Sequence, residues 1–323
     1  MGSKVRNSVK ANPTVSLTGG LGNQLFQLAA AMAGSKSTSV DVEWSLGTPR
    51  LSAQNIPEIF EFNLPPEITL LPSRSVSFFQ RKLGNLTLRT SAQANGNRKV
   101  TLNRPLLGLL ELAISLFYSR GQKTIICKGV GFDSGVIHAT GNRFFVGYFQ
   151  SYKWLQDSAI HRTFDSFRLV KSDSWLEDVK VWSQNENPLV LHLRMGDYEN
   201  EGRIGIPRME YYEQAVKELW GEGKYKKIWI FSDDPEKAKK LLPLWILENA
   251  RWMTQNQDSA ATTLEAMRYG TGYVMSNSTF SWWGAFLSYK SDATVVAPSP
   301  WFKLWDEPLE ITPPHWKRQP AWP

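Results

Sequence analysis

Residues 189–198 read LVLHLRMGDY, a run that opens as an apolar strand and turns abruptly polar. An apolar run of this length fits a buried strand, the kind that parallel sheets contain. Side chains alternate along a strand, so His192 and Arg194 share one face while Leu191, Leu193 and Met195 take the other. A lone strand-end histidine is ordinarily a hydrogen-bonded core residue. His192 with Arg194 on one face, followed by Gly196-Asp197, is instead the pattern of a site.

Working outward, the same rhythm repeats. PRMEYYEQAVKELW (207–220) has helical spacing, with Tyr212, Ala215, Val216, Leu219 and Trp220 on one side. KIWIFS (227–232) is a strand, and Asp234-Pro235 then caps and opens a helix. A helix around TTLEAM (262–267), the strand GYVMS, the helix FSWWGAFLSYK and the strand ATVVAP complete this half. Upstream, PTVSL (13–17) is a strand, NQLFQLAAAMA a helix and STSVDVEW (37–44) a second strand; NRFFVGYFQSYKWL (142–155) resumes the pattern. Strand and helix in alternation predict parallel βαβ units. The expected fold is α/β, with two Rossmann-like domains facing across a cleft lined by strand C-termini. The break is expected in SQNENP (183–188), giving an N-terminal domain over 1–185 and a C-terminal one over 186–300. Residues 48–130 carry Pro57, Pro65, Pro66, Pro72 and Pro105 and read as an irregular insert. Residues 301–323, rich in Pro and Trp, read as a strap without regular structure that packs back on the first half.

At 323 residues and 42% hydrophobic composition, the chain can bury a sizeable core. The single cysteine, Cys127, permits no internal disulfide and no cysteine metal cage, which points to a reducing, cytoplasmic setting. MGSKVRNSVKANPTVSL lacks the apolar run of a signal peptide. The longest apolar run, LLGLLELAISLFY (106–118), is too short to span a bilayer. The net charge of +7 is uneven: residues 71–130 hold ten Arg or Lys against one acid, Glu111. Such a segment suits an anionic membrane face, a polyanionic acceptor, or simple solvation. Nucleic acid is not expected, because no binding module accompanies the charge.

Four polar clusters fall at strand ends. TGGLGNQLFQ (18–27) places Gly20, Gly22, Asn23 and Gln24 where a helix begins. With Asp41 or Glu43 about 20 residues on, it is also a partial dinucleotide fingerprint, the basis of an alternative reading as an NAD-dependent oxidoreductase. A simple β-to-α turn is the plainer explanation. The second cluster is the opening stretch, whose Arg194 offers a permanently charged fork suited to phosphate. The third, IWIFSDDP (228–235), presents Ser232, Asp233 and Asp234 to a nucleoside or a divalent metal, although Asp234 is already suited to capping. The fourth, VMSNSTFSWWGAF (274–286), runs Ser278, Thr279 and Phe280 into a helix N-terminus, which is an anion site, an ordinary cap, or both. Trp282 and Trp283 read as core. No Ser-His-Asp, Cys-His or HExxH arrangement and no P-loop is evident, which argues against hydrolases and kinases.

In this order the motifs GGLGNQLFQLAAAMA, GYFQS (147–151), LHLRMGDY, FSDDP, and SNSTFSWWGAFL with VVAPSPWF resemble glycosyltransferase family 11, the α-1,2-fucosyltransferases of bacterial type. The resemblance frames nearly the whole chain except 48–130 and the last twenty or so residues. It implies a GT-B architecture, GDP-fucose as donor, no required metal or other cofactor, inversion at the fucose anomeric carbon, and a galactose-terminated oligosaccharide or lipid-linked glycan as acceptor. By the same resemblance, Arg194 contacts the donor pyrophosphate and His192 and Asp197 shape its loop. Ser278, Thr279 and Phe280 meet the β-phosphate, Ser232 and Asp233 lie near the nucleoside, and Gly20, Gly22 and Asn23 come from the opposite domain. Arg194, Asp197 and Asn23 are the expected catalytic residues, with Asp197 a candidate base and Asn23 an orienting amide. The chain departs from the family pattern at Met195, where a second arginine is usual, and at Thr263, where an aspartate is usual. Another nucleotide-sugar donor on the same fold is the alternative those departures leave open.

Overall fold

The structure, a computed structural model, describes residues 12–72, 75–93, 100–119, 121–138, 142–171, 173–196, 202–254 and 259–323. In the first half, β1 (Thr14–Ser16), β2 (Val40–Glu43), β3 (Ile68–Leu70), β4 (Lys123–Ile126) and β5 (Arg143–Val146) form a sheet of order β3-β2-β1-β5-β4. In the second, β6 (Leu189–Leu193), β7 (Ile228–Ser232), β8 (Ala250–Trp252), β9 (Gly272–Val274), β10 (Thr294–Ser299) and β11 (Lys317–Pro320) form a sheet of order β11-β10-β9-β6-β7-β8. Every pairing is parallel. Two parallel α/β units facing across a cleft constitute the GT-B arrangement.

Each sheet grows outward from its first strand and then restarts on that strand's other side, with β5 beside β1 and β9 beside β6. At such a switch point neighbouring crossovers leave on opposite faces and open a crevice beyond the strand C-termini. The opening stretch supplies one wall of the second crevice. Its alternation is realised in the packing: Leu189, Leu191, Leu193 and Met195 join a core with Tyr211, Tyr212, Ile228 and Ile230. Val190, on the other face, belongs to a separate core with Trp229 and Phe231.

The halves are welded rather than merely adjacent. Phe26, in the Leu21–Ser35 helix, sits 4.6 Å from Trp282 and 5.0 Å from Trp283, both in the Thr279–Phe286 helix. All three rings are fully buried, and burying each contributes about 1.5–3 kcal/mol. Trp283 Nε1 also donates to the carbonyl of Gly22 at 2.9 Å.

Two expectations need correction. Residues 48–130 are not mainly irregular. They contain the helices Phe78–Gln93 and Val100–Phe117 as well as β3 and β4. The prolines masked this because Pro65, Pro66 and Pro72 fall just outside β3, and Pro105 is carried inside the second helix. The tail is also not wholly irregular. It first reaches the N-terminal half, where the backbone N–H groups of Phe132 and Tyr152 donate to the carbonyls of Leu309 and Glu310. Then Lys317–Pro320 pairs with β10 as an edge strand. An exposed edge strand, held by backbone bonds and by surface contacts such as Arg318 with Glu307, has no apolar alternation to betray it. The polar stretch SQNENP is largely the last turn of the Ser174–Glu186 helix, ended by Asn187 in the left-handed conformation (φ 44°).

Candidate active site

The two switch points open into one cleft of about 480 Å³, within the range of small-molecule sites. Its walls contain Gly20, Gly22, Asn23, His192, Arg194, Ser232, Asp233, Ser278, Thr279 and Phe280, ten of the eleven residues to which the family resemblance gives a role. The eleventh, Asp197, lies outside the described residues.

Arg194 leaves β6 on the cleft face and is held from behind. Its Nε lies 3.2 Å from Asp233 Oδ2. The same carboxylate accepts the backbone N–H of Met195 at 2.7 Å and of Gly196 at 3.1 Å. Asp233 is thus a clamp on the β6 exit loop, which fixes the guanidinium at the cleft wall. Asp234 faces another task, accepting Lys237 N–H at 3.0 Å as cap of the Pro235–Leu241 helix. The two neighbouring acids diverge and do not form a joint ligand pair.

His192 is buried, with Nδ1 2.8 Å from Ser276 Oγ. Burial, and then the charge of Arg194, depresses its pKa to about 3, so it is neutral near pH 7. It lines the cleft as a neutral group. Ser278 caps the next helix by accepting Phe280 N–H at 3.3 Å. That cap orients the N-terminal backbone of Thr279 and Phe280 into the cleft, where it favours an anion. Capping and anion binding are therefore compatible roles for this one motif.

The glycines of the first cluster serve close approach. Gly19 has φ +73°, a left-handed turn that favours glycine. A Cβ on Gly22 would lie 2.6–2.7 Å from the backbone of Thr279 and Phe280. The two helix N-termini, one from each half, therefore meet at Gly22 with no room for a methyl group. Gln24 and Gln27 are consumed in holding loops: Gln24 Nε2 donates to the carbonyls of Gly19 and Arg50, and Gln27 Nε2 to that of Gly147. Asn23 lines the cleft, and its Oδ1 accepts from Gln150 Nε2 at 3.1 Å. Asp41, the acid required by a dinucleotide fingerprint, lies within β2 and accepts from Asn12 Nδ2 at 3.2 Å. Neither Asp41 nor Glu43, which accepts Ser45 N–H, lines the cleft, so the dehydrogenase reading loses its ribose contact.

Residues 137–310 match the family described as glycosyl transferase family 11. The chain belongs to that family. This family 11 glycosyltransferase is 30% identical over 131 residues to the O-antigen biosynthesis glycosyltransferase WbnK of Escherichia coli, a match covering 38% of this chain and 42% of WbnK. It is 21% identical over 322 residues to an α-1,2-colitosyltransferase of Escherichia coli, covering 89% of this chain and 91% of that one. Among solved structures it is similar to the fucosyltransferase NodZ from Bradyrhizobium (TM-score 0.46, 12% identity, 86% of this chain and 93% of NodZ). It is also similar to POFUT1 in complex with GDP (TM-score 0.44, 13% identity, 88% of this chain and 98% of POFUT1).

Two cleft residues of the glycosyltransferase have no signal at a strand end. Arg50 and Glu58 come from the loop and short 3-10 turn after β2. Glu58 Oε2 accepts Leu21 N–H at 2.7 Å, doing for the Leu21–Ser35 helix what its N-cap Gly20 has no side chain to do. Burial raises the Glu58 pKa against the opposing pull of that N–H and of Arg50. The sequence trace of this role is an acid set among Ile56, Pro57, Ile59 and Phe60.

Arg50 also changes the meaning of Met195. Met195 is 1% exposed and packs in the core behind β6, on the face away from Arg194. A second cleft arginine nevertheless exists, supplied by the opposite half. Met195→Arg is therefore expected to bury an uncompensated charge and cost about 3–5 kcal/mol, seen as a large fall in melting temperature, with no gain in turnover. A folded variant with a raised rate would show instead that the site needs a guanidinium there. Thr263, where the family pattern has an acid, lines the cleft with its hydroxyl bonded back to the Ser259 carbonyl at 3.1 Å.

Proposed function

We propose that this glycosyltransferase moves L-fucose from GDP-fucose to the 2-hydroxyl of a galactoside, with inversion at the anomeric carbon. One observation carries the reading: cationic groups and a helix N-terminus from both halves, Arg194, Arg50 and Thr279–Phe280, converge on a single cleft in a family 11 chain. In such a transfer the C1–O bond to the β-phosphate breaks and GDP leaves with its electron pair. The acceptor O2 bonds to C1 from the opposite face and gives up its proton. Negative charge grows on the diphosphate while the sugar becomes cationic, so preorganised positive donors at the phosphates lower the barrier. With two guanidiniums and the helix N-terminus in that role, the reaction needs no metal, and turnover should persist in a chelator.

The proton acceptor in this scheme is Glu58. Of the two carboxylates that line the cleft among the described residues, Asp233 is engaged by Arg194 and two backbone N–H groups. Glu58 belongs to the other half, and one of its oxygens is fixed by Leu21 N–H. Asn23 orients the acceptor hydroxyl or the departing oxygen. The acceptor is a galactose-terminated oligosaccharide, free or lipid-linked.

A second donor has specific support, because the long alignment is to a colitosyltransferase. Colitose is fucose without its 3-hydroxyl, so the two donors differ by a single hydrogen-bonding group. A transfer assay with GDP-fucose, GDP-colitose, GDP-mannose and UDP-galactose on galactosides decides between them. The expected result is preference for GDP-fucose and an α-1,2 linkage by NMR. Preference for GDP-colitose would replace the donor and keep the mechanism. A thermal shift with GDP but no turnover on any donor would reduce the protein to a binding module.

A further inference from the structure

We infer that the two helices of the 48–130 region form a docking face for an anionic lipid surface. The Val100–Phe117 helix is apolar on two sides. Leu107, Leu110 and Ile114 pack inward in a core with Ile126, Phe144 and Val146. Leu106, Leu109, Leu112 and Leu116 follow helical spacing on the outside, with Leu109 66% and Leu116 72% exposed. In the Phe78–Gln93 helix, Phe78 and Phe79 are 74% and 65% exposed. Phe79 meets Phe117 edge-on at 6.4 Å, so the two outward faces are continuous. Single exposed apolar residues are ordinary, but a continuous leucine and phenylalanine face marks an interaction surface.

Charge identifies the occupant. On the first helix the exposed stripe Phe79, Lys82, Leu86, Arg89 alternates apolar and basic residues, and Arg81 is exposed beside it. Lys82 Nζ lies 4.6 Å over the Phe78 ring, pairing a cation with an aromatic as membrane-interface residues do. The only acid between residues 71 and 130, Glu111, turns inward and accepts Ile126 N–H at 3.4 Å. No carboxylate of that stretch therefore offsets the basic face. A second copy of the chain is the poorer partner, because a symmetric dimer through this patch would set like charges against each other. No helix among the described residues is long and apolar enough to cross a membrane, so contact is peripheral.

The test is co-sedimentation of the full chain with vesicles of mixed phosphatidylglycerol and phosphatidylcholine, against phosphatidylcholine alone. Binding is expected only to the anionic vesicles at about 0.1 M salt, and loss at about 1 M, where the Debye length falls to roughly 3 Å. Leu109→Glu with Leu116→Glu should abolish binding. Reversing Arg81, Lys82 and Arg89 to Glu should weaken it by at least about a hundredfold, at about fivefold per basic residue lost. Circular dichroism and transfer to a soluble acceptor should be unchanged in both variants. Absence of binding at low salt, equal binding to neutral vesicles, or binding that survives both variants would each overturn the proposal. So would a wild-type dimer, in sedimentation velocity without lipid, that Leu109→Glu with Leu116→Glu converts to monomer.

Discussion

Arg194→Ala is expected to lower kcat about a thousandfold while the protein stays folded. The size follows from the loss of a preorganised donor aimed at developing charge, which typically costs about 10²–10³ in rate. Folding should survive because Asp233 retains its two backbone donors, Met195 and Gly196 N–H, and still closes the loop. Arg194→Lys sharpens the test. It keeps the charge but not the fork, and so cannot hold Asp233 and a phosphate together; only part of the rate should return. Single-turnover kinetics with GDP-fucose and a melting curve on each variant supply the measurement. An alanine variant that keeps most of its turnover would remove Arg194 from the mechanism.

Glu58→Gln should cost about 10²–10⁴ in kcat, the usual contribution of a positioned base. The amide oxygen can still accept Leu21 N–H, so helix capping and stability are retained, whereas Glu58→Ala should lose both functions. The pH profile separates a base from a merely structural residue. Burial raises the Glu58 pKa, and only the carboxylate can take the acceptor proton. Wild-type activity should therefore fall as pH drops through that raised pKa. In the Gln variant this acid limb should vanish. His192 does not confuse the reading, because its own pKa is depressed to about 3. A Gln variant with near wild-type rate and the same acid limb would place the proton elsewhere.

The cleft residues of the second half were legible because each lies at or just after the end of an apolar strand. His192 lies in LVLHL and Arg194 follows it, Ser232 ends IWIFS, and Ser278 follows GYVMS, so periodicity and topology alone bring them to one edge. The roles were less visible than the places. Asp233 is suited by its position to a nucleoside, yet what it holds is Arg194 and its own loop. Gly22 resembles a ligand-binding glycine, yet its empty Cβ position is filled by the backbone of another helix 257 residues away in sequence. Arg50 and Glu58 escaped altogether, since nothing local tells a loop arginine that faces a cleft from one that faces water. The elements of the basic insert were obscured by prolines that flank β3 and by Pro105, which sits inside a helix, and β11 by an edge position that buries no apolar side chain.

The contact at Gly22 bears on how far such proteins can be treated as modular. A two-half architecture invites chimaeras that exchange one half for that of a relative. Here the seam runs through Phe26, Trp282, Trp283 and a glycine that admits no methyl group. A graft cut in the polar stretch near residue 186 would carry half of that seam into an unmatched partner. Exchangeable units would therefore have to be drawn around the seam, transplanting the Leu21–Ser35 and Thr279–Phe286 helices together and leaving the linker as an incidental boundary.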